Sequence, residues 1–277
     1  MNFWEAILFG IIQGFTEIFP ISSSAHLAIL GNLFGVSGSG YNFRMMTVFL
    51  HFGTMIAIMI VYMPAIETML DELIVILRAG KGEARGQRHY PAVRNAVMIL
   101  VSCLPLLLLI PFIDYLDTLY LNNVFIGAMM VLSGFILFVS DRLQDGTKDE
   151  RNMTFVDALL VGICQLVSAI PGISRIGTVM TACKATGMKK EFAVKYAYLL
   201  SLPVVFGMNI VHLVSAAQYG FSWKEVPMYI IGLVVSFLVG TLAMRIVRKA
   251  AENGKFHDFA YYCWVAGVMF IILTMIF

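Results

Sequence analysis

EAILFGIIQGFTEIFPIS fills residues 5–22, and DALLVGICQLVSAIPGIS fills residues 157–174. At a constant offset of 152 they share Ala6/Ala158, Leu8/Leu160, Gly10/Gly162, Ile11/Ile163, Gln13/Gln165, Ile18/Ile170, Ile21/Ile173 and Ser22/Ser174, which is 8 of 18 positions. Few residue types dominate apolar segments, so chance would give roughly two or three matches. Glycine and glutamine in register are harder to dismiss than leucine. Each stretch is broken in its middle, the first at PISSS (residues 20–24) and the second at PGISR (residues 171–175). The arms around each break run about ten to fourteen residues, short of the ~20 that a spanning helix needs. Proline ends the first arm by removing an amide donor, and a serine just behind it is a good N-cap. Such arms fit re-entrant hairpins, which enter and leave on one side.

The rest of the chain is equally apolar. Of its 277 residues, 60% are hydrophobic and 13% charged, against about 25% charged in a soluble domain. Residues 45–63, 96–113, 124–139, 194–214, 228–244 and 259–277 each read as a spanning helix. Three spans lie between the hairpins. Three is odd, so the second hairpin enters from the opposite face. The expected fold is an all-α polytopic membrane protein made of two inverted-topology repeats. Residues 1–140 form the first, with a hairpin at about 5–36 and spans at about 45–64, 95–113 and 122–140. Residues 155–277 form the second, with a hairpin at about 155–188 and spans at about 193–215, 227–247 and 258–277.

Charge tests the topology. With both termini outside, the segments 64–95, 141–154, 184–195 and 245–257 face the cytoplasm, and they hold 16 of the 19 Lys and Arg residues. Arg44 and Lys224 fall outside, and Arg175 lies at the second hairpin tip. This is the positive-inside pattern. The start MNFWE lacks the basic region of a signal peptide, so the mature chain is expected to begin near Met1. No basic patch interleaves with aromatics, which argues against nucleic acid as a partner. The four cysteines share no CxxC spacing and read as small hydrophobes.

Hairpins from opposite faces bring their tips together near the midplane. Each tip starts a half-helix, whose free amides and dipole favour an anion. The first tip carries Gln13, Glu17, Ser22, Ser23, Ser24 and His26, and the second Gln165, Ser168, Ser174, Arg175 and Thr178. Arginine at membrane depth costs about 2.5–3.5 kcal/mol on insertion scales. As a planar fork, Arg175 suits phosphate oxygens, with Glu17 as counter-ion when the site is empty. His26 lies three residues after Ser23, the spacing of an activated nucleophile or an acid–base pair. Ser22 and Ser24 read as caps. Gln13 and Gln165 either join the hairpins or touch substrate. Glu5 and Asp157 complement helix starts. His51, Asn209 and His212 read as interhelical hydrogen-bonding groups within spans, and His89 and His257 as solvated loop residues.

At these residues the chain resembles the bacterial undecaprenyl-diphosphate phosphatase family. The first family motif stands as QGFTEIFPISSSAH from Gln13 to His26, and the second as PGISRIGTV from Pro171 to Val179. The resemblance covers nearly the whole chain. It implies removal of the terminal phosphate from undecaprenyl diphosphate, which recycles the carrier lipid of cell-wall synthesis in the bacterial inner (plasma) membrane. It also implies that Ser23 and His26 serve in phosphoryl transfer and that Arg175, with Ser174, Gly172, Gln13, Ser22 and Thr178 around it, holds the diphosphate. A divalent cation, Mg or Ca, is implied at Glu17. The expected partners are the polyprenyl diphosphate and the bilayer, with a homodimer as a further partner considered. The chain departs from the pattern at Ile176 and Val179, where the family has serine and threonine, and at Ala25, where it has glycine. The two missing hydroxyls are expected to weaken the phosphate cradle, so restoring them should raise turnover. The rival readings are a transporter or flippase for a lipid phosphate, which inverted repeats with broken helices also suit, and a non-catalytic scaffold.

Overall fold

The computed structural model describes residues 2–36, 41–78, 90–219, 222–252 and 256–276. Among these residues, regular structure is helical apart from one isolated bridge between Lys148 and Met188. In chain order the helices are α1 (Phe3–Ile18), α2 (Ser23–Leu33), α3 (Tyr41–Val61), α4 (Met63–Arg78), α5 (Pro91–Cys103, continued as a 3-10 stretch Leu104–Phe112) and α6 (Ile113–Leu119). They continue with α7 (Asn123–Arg142), α8 (Phe155–Leu166, with a 3-10 end Val167–Ala169), α9 (Arg175–Ala185), α10 (Lys190–Tyr219), α11 (Val226–Glu252) and α12 (His257–Ile276).

Among the described residues, six segments are long and apolar enough to cross a membrane: Asn42–Val61, Pro91–Phe112, Asn123–Arg142, Lys190–Val214, Trp223–Lys249 and His257–Ile276. They match the six expected spans to within a few residues. Their outer faces expose Leu108, Leu238, Val265 and Met275, side chains that water would not tolerate in such number and lipid accepts. The chain is therefore a multi-pass membrane protein.

The same local chemistry builds both broken segments. α1 opens on a capping box between Asn2 and Glu5, and α8 on one between Thr154 and Asp157. Each box satisfies two of the amides that a helix start leaves open. Pro20 forces Phe19 to φ −72, ψ 143, and Pro171 forces Ile170 to φ −73, ψ 124. Both residues leave the helical region because the proline ring crowds the residue before it. Ser22 then caps α2 by accepting from the Ala25 amide at 3.4 Å, and Ser174 caps α9 by accepting from Gly177 at 3.1 Å.

Close approach sets the packing. α1 lies along α11 with Gly10 and Gly14 in the contact; a Cβ on Gly10 would stand 2.8 Å from Val235 Cβ. α8 lies along α5, where a Cβ on Gly162 would meet the Ser102 carbonyl. α7 packs on α12 with Gly127 and Gly267 face to face. α3 packs on both α11 and α10, and α10 also packs on α5.

The segment 64–95, expected as a loop, is largely helical: α4 ends at Arg78 and α5 starts at Pro91, so Asn95 is a buried helix residue. α4 buries none of its residues and exposes Leu70, Leu73, Ile74 and Leu77 beside Glu67, Asp71 and Glu72, the pattern of a helix at a membrane surface. The charges of this segment hid its helical periodicity. His89 lies outside the described residues. His257 is pinned rather than merely solvated: its backbone amide and Nδ1 reach Asp141 Oδ2 at 2.7 and 2.9 Å.

Candidate active site

The first break puts a buried carboxylate beneath a hydroxyl. Glu17 sits in the last turn of α1 with 8% of its surface exposed. Ser23 opens α2, and its Oγ donates to Glu17 Oε2 at 2.5 Å. Gln13, one turn earlier on α1, donates Nε2 to the same oxygen at 3.3 Å. His51 of α3 brings Nε2 to 3.6 Å from it. A serine whose proton already points at a carboxylate has its base in place.

Ser22 gives this turn its shape. Its φ of 68 makes it the one non-glycine in the left-handed region among the described residues. A side chain held there costs about 1–3 kcal/mol and persists only where surrounding contacts hold it. Here Ser22 Oγ bonds Ser24 Oγ at 3.1 Å, and the Ser22 carbonyl accepts from His26 Nδ1 at 2.8 Å.

His26 faces away from Ser23, contrary to the expected pair. With Nδ1 donating to a carbonyl, Nε2 accepts from the Tyr262 hydroxyl at 2.8 Å. The imidazole stacks on the Tyr262 ring at 5.8 Å and 13°, and meets Phe270 edge-on at 5.7 Å. The Tyr262 hydroxyl and the Tyr262 and Phe270 rings hold the imidazole against α12. The side chain that Ser23 Oγ reaches is the Glu17 carboxylate.

The second break is committed differently. Ser174 spends its hydroxyl on the cap, and its backbone amide donates to Ser133 Oγ of α7 at 3.0 Å. Thr178 Oγ1 donates to the Ser174 carbonyl at 2.8 Å. Gly172 takes φ 104, and a Cβ there would run 2.5 Å from the Ile126 carbonyl, so its role is to make the turn against α7. Ser174, Thr178 and Gly172 thus shape the tip rather than offer free side-chain donors. Arg175 is the exception. Among the described residues its polar contact is Nη2 with Met208 Sδ of α10 at 3.1 Å. A thioether is a weak acceptor, so the five-donor fork is almost uncommitted. Among the described residues no ion pair joins it to Glu17.

The breaks border one apolar cluster. Ile18, Ile21 and Ala25 of the first share it with Ile176, Val179 and Met180 of the second, and Ile126, Met130 and Leu137 of α7 complete it. Tyr198 of α10 adds a buried hydrogen bond to the Ile18 carbonyl at 2.6 Å. Ile176 and Val179 are 5% and 1% exposed. The positions expected to line a cradle are core positions here.

Gln13 and Gln165 are both fully buried, yet their surroundings differ. Gln13 supports Glu17 through Nε2 and leaves Oε1 without a partner, whereas both polar ends of Gln165 lack one. A divalent cation would find a thin protein shell. No group of three or more His, Cys, Asp and Glu comes together among the described residues. Glu17 with the unpartnered Oε1 of Gln13 is an oxygen set that could share a cation with phosphate oxygens, the usual arrangement for Mg.

Sequence reasoning missed His51, Tyr262, Ser133 and Met208 at this site. His51 and Ser133 are lone polar residues in apolar spans, a signal that was read as interhelical bonding for His51. Tyr262 and Met208 carry no signal without coordinates.

A family model described as bacitracin resistance protein BacA matches residues 6–269. The chain belongs to the BacA family. The match takes in both breaks, with Gln13, Glu17, Ser23, His26, His51 and Arg175. Among relatives, an undecaprenyl-diphosphatase of Halothermothrix orenii is 34% identical over 100% of both chains. One of Methanococcus maripaludis strain C7 is 35% identical over 98% of this chain and 100% of its own. One of Desulforapulum autotrophicum is 32% identical over 98% of each.

Proposed function

We propose that this BacA-family protein is a membrane phosphatase that hydrolyses undecaprenyl diphosphate to the monophosphate and phosphate, returning a carrier lipid to cell-wall synthesis. The observation that carries the reading is the Ser23–Glu17 hydrogen bond at a strained helix break, and the second break adds the Arg175 fork, held only by a thioether. The relatives' names agree with it and do not favour the transporter alternative.

The residues divide the work as follows. Arg175 and the open amides at the start of α9 hold the diphosphate. Ser23 Oγ attacks the terminal phosphorus while its proton passes to Glu17 Oε2. The P–O bond to the lipid phosphate breaks, and the lipid monophosphate leaves with the electron pair. Water then attacks the phosphoserine, Ser23 recovers a proton, and inorganic phosphate departs. Phosphoryl transfer asks mainly for positioning and charge neutralisation. A cation at Glu17 and Gln13 would add to that neutralisation. His26, tied to Tyr262 and to the Ser22 carbonyl, fixes the strained turn that aims Ser23. The arrangement lies within one chain, so this reading does not need a homodimer.

The architecture that serves this chemistry is a pair of inverted repeats with re-entrant hairpins: residues 1–140 and 155–277, termini outside. Packing supports it. α1 on α11 corresponds to α8 on α5, α3 on α11 to α10 on α5, and α3 on α10 and α7 on α12 are self-paired, as a two-fold relation requires. Gly10 and Gly162, matched in the sequence repeat, each seat their helix on the corresponding partner. The site then opens to the outer face.

Phosphate release from undecaprenyl diphosphate by detergent-purified protein tests the activity, with Ser23→Ala as control. Release at the same rate from that variant would remove Ser23 from the chemistry. Orientation is tested separately by an impermeant thiol reagent on Ser24→Cys. Labelling in intact spheroplasts is expected, and labelling only in inside-out vesicles would reverse the topology.

A further inference from the structure

Lysine is seldom buried without a partner of opposite charge. Lys184 is 7% exposed, and the group that receives its amine is neutral: Nζ donates to the Ser140 carbonyl of α7 at 2.6 Å. In the sequence it counts among the charges of segment 184–195. In the structure it is the basic residue in the last turn of α9, the helix that Arg175 opens. The phosphatase reading gives it no task.

Its setting suggests one. α9 runs along α7 in a fixed register. The Ser174 amide donates to Ser133 Oγ at 3.0 Å, Thr181 Oγ1 comes within 3.4 Å of the Ile136 carbonyl, and Lys184 Nζ meets the Ser140 carbonyl, pairs 41, 45 and 44 residues apart. A nearly constant separation means two parallel helices. Between these contacts a Cβ on Gly177 would stand 2.9 Å from Leu137 Cδ2. The α7 face that takes them is a seam: Ile126, Met130, Ser133, Leu137 and Ser140 are buried at alternating steps of four and three. Ser133 and Ser140 are its two polar rungs. The first meets the start of α9 and the second meets its end. Parallel helices also bring their carbonyl ends together, and those ends carry like partial charge. The Ser140 carbonyl is among the last four of α7, which find no amide donor within the helix. Because Lys184 stands in the last turn of α9 as well, one amine serves both ends.

We infer that Lys184 is a positioning residue: it sets how far α9 reaches along the α7 seam, and thereby where Arg175 meets the diphosphate. Arg175 lies nine residues before it, about 14 Å along the axis at a rise of about 1.5 Å per residue. The polar contact of Arg175 is a thioether, which holds it weakly, so the fork stands where the helix puts it. A slip of one residue would shift the fork by about 1.5 Å and turn it by about 100°. A misplacement on the order of 1 Å can cost about a hundredfold in rate. Neutral bonds hold the start of α9, and Lys184 adds a charged tether at the other end. The inference rests on the phosphatase reading.

Lys184→Met tests it, because methionine is unbranched, fills a similar space and cannot donate a hydrogen bond. In the purified full chain, affinity for a non-hydrolysable lipid diphosphate is expected to fall about tenfold and kcat/KM for phosphate release about 10–100-fold. The melting temperature should stay close to that of the wild type, since the change removes the cost of burying the amine together with its bond. In an Arg175→Ala background the same change is expected to cost less than about threefold in either readout, because the fork it places is gone. Lys184→Leu runs the same cycle if the methionine variant does not fold. Wild-type affinity in a folded variant lacking the amine would overturn the inference. So would equal losses in both backgrounds, the mark of a packing role. Absence of phosphate release from the wild-type chain would instead defeat the phosphatase reading, while the binding measurement still reads the position of the fork.

Discussion

The two broken segments share one scaffold and carry different side chains at their tips. Both start on a capping box, bend at a proline and restart on a serine cap. At the repeat offset, Glu17 corresponds to Ala169, Ser23 to Arg175 and His26 to Thr178. The first break holds the carboxylate and the hydroxyl. The second holds the fixed cation. Their backbones differ to match. The first puts Ser22 in the left-handed region at φ 68, and the second gives that conformation to Gly172 at φ 104, two residues earlier in the aligned frame. Glycine adopts it freely and serine does not. The strain therefore falls on the break that carries Ser23 and Glu17, the nucleophile and base of the proposed reaction, and the break that carries Arg175 is relaxed.

The largest effect should come from removing the chemistry of the first half. Glu17→Gln and Ser23→Ala are each expected to lower kcat by about 10²–10⁴, the range for loss of a positioned base or nucleophile. Ser174→Ala, at the position matching Ser22, is expected to lose a cap worth about 1 kcal/mol of stability and to change kcat by less than about tenfold. Phosphate-release kinetics beside thermal unfolding in detergent would separate the two. A comparable kcat loss at Ser174 would erase the division of labour.

Next comes the fork. Arg175→Lys keeps the charge but loses planar bidentate bonding, and a loss of about 10–100-fold in kcat/KM is expected from one charge-assisted hydrogen bond of about 1.5–3 kcal/mol. Because Arg175 is not locked in an ion pair, the fold should not need it, and the melting temperature should stay within a few degrees. Binding of a non-hydrolysable lipid diphosphate by isothermal titration would show the loss directly. Unchanged affinity would place the diphosphate elsewhere.

A smaller effect sharpens the comparison at the matched glutamines. Gln13→Leu removes the Nε2 bond to Glu17 and should cost kcat roughly fivefold to tenfold, about one neutral-to-charged hydrogen bond at the low end. Gln165→Leu removes a buried side chain whose polar ends have no partner among the described residues. It should leave kcat unchanged and raise stability by up to about 1–2 kcal/mol, because an unsatisfied buried polar group costs about that much. A kcat loss at Gln165 would show that the second half holds a polar ligand at this position.

Much of this was legible from the chain itself. The six apolar spans and both breaks follow from apolar length and from proline and serine; the sequence also offers Glu17, Ser23 and Arg175 as site residues, but it pairs Ser23 with His26 and not with Glu17. Direction was not legible. Whether His26 turns toward Ser23 or toward α12 depends on a ring 236 residues away in the sequence. His51 looked like any polar residue in a span, because only packing of α3 beside α1 brings it to Glu17. α4 was hidden by its own charges, which announced a loop at a membrane face where the chain in fact forms a helix along it.

The smallest effect is expected where the family pattern and the packing disagree. Ile176 and Val179 stand where the family pattern has serine and threonine, and hydroxyls there would appear to complete a phosphate cradle. In this chain both are buried in the apolar cluster that joins the two breaks, one turn apart on a single face of α9. Ile176→Ser would remove three carbons from a filled space, and large-to-small changes of that kind cost about 2–5 kcal/mol. Val179→Thr adds a hydroxyl in the same volume, and the nearest acceptor is the carbonyl four residues back, as Thr178 and Thr181 already choose. Neither new hydroxyl gains a phosphate unless α9 rotates, and the Ser174 cap and the Ser133 bond oppose rotation. The double variant should therefore keep kcat within about threefold of wild type while its melting temperature falls, measured on the same detergent preparation. Single variants should divide the stability loss unequally, most of it at position 176. A tenfold rise in kcat would mean that α9 turns its 176/179 face toward the diphosphate when substrate is bound. The second half would then contribute hydroxyl donors as well as a charge, and the contrast between the two breaks would be one of degree.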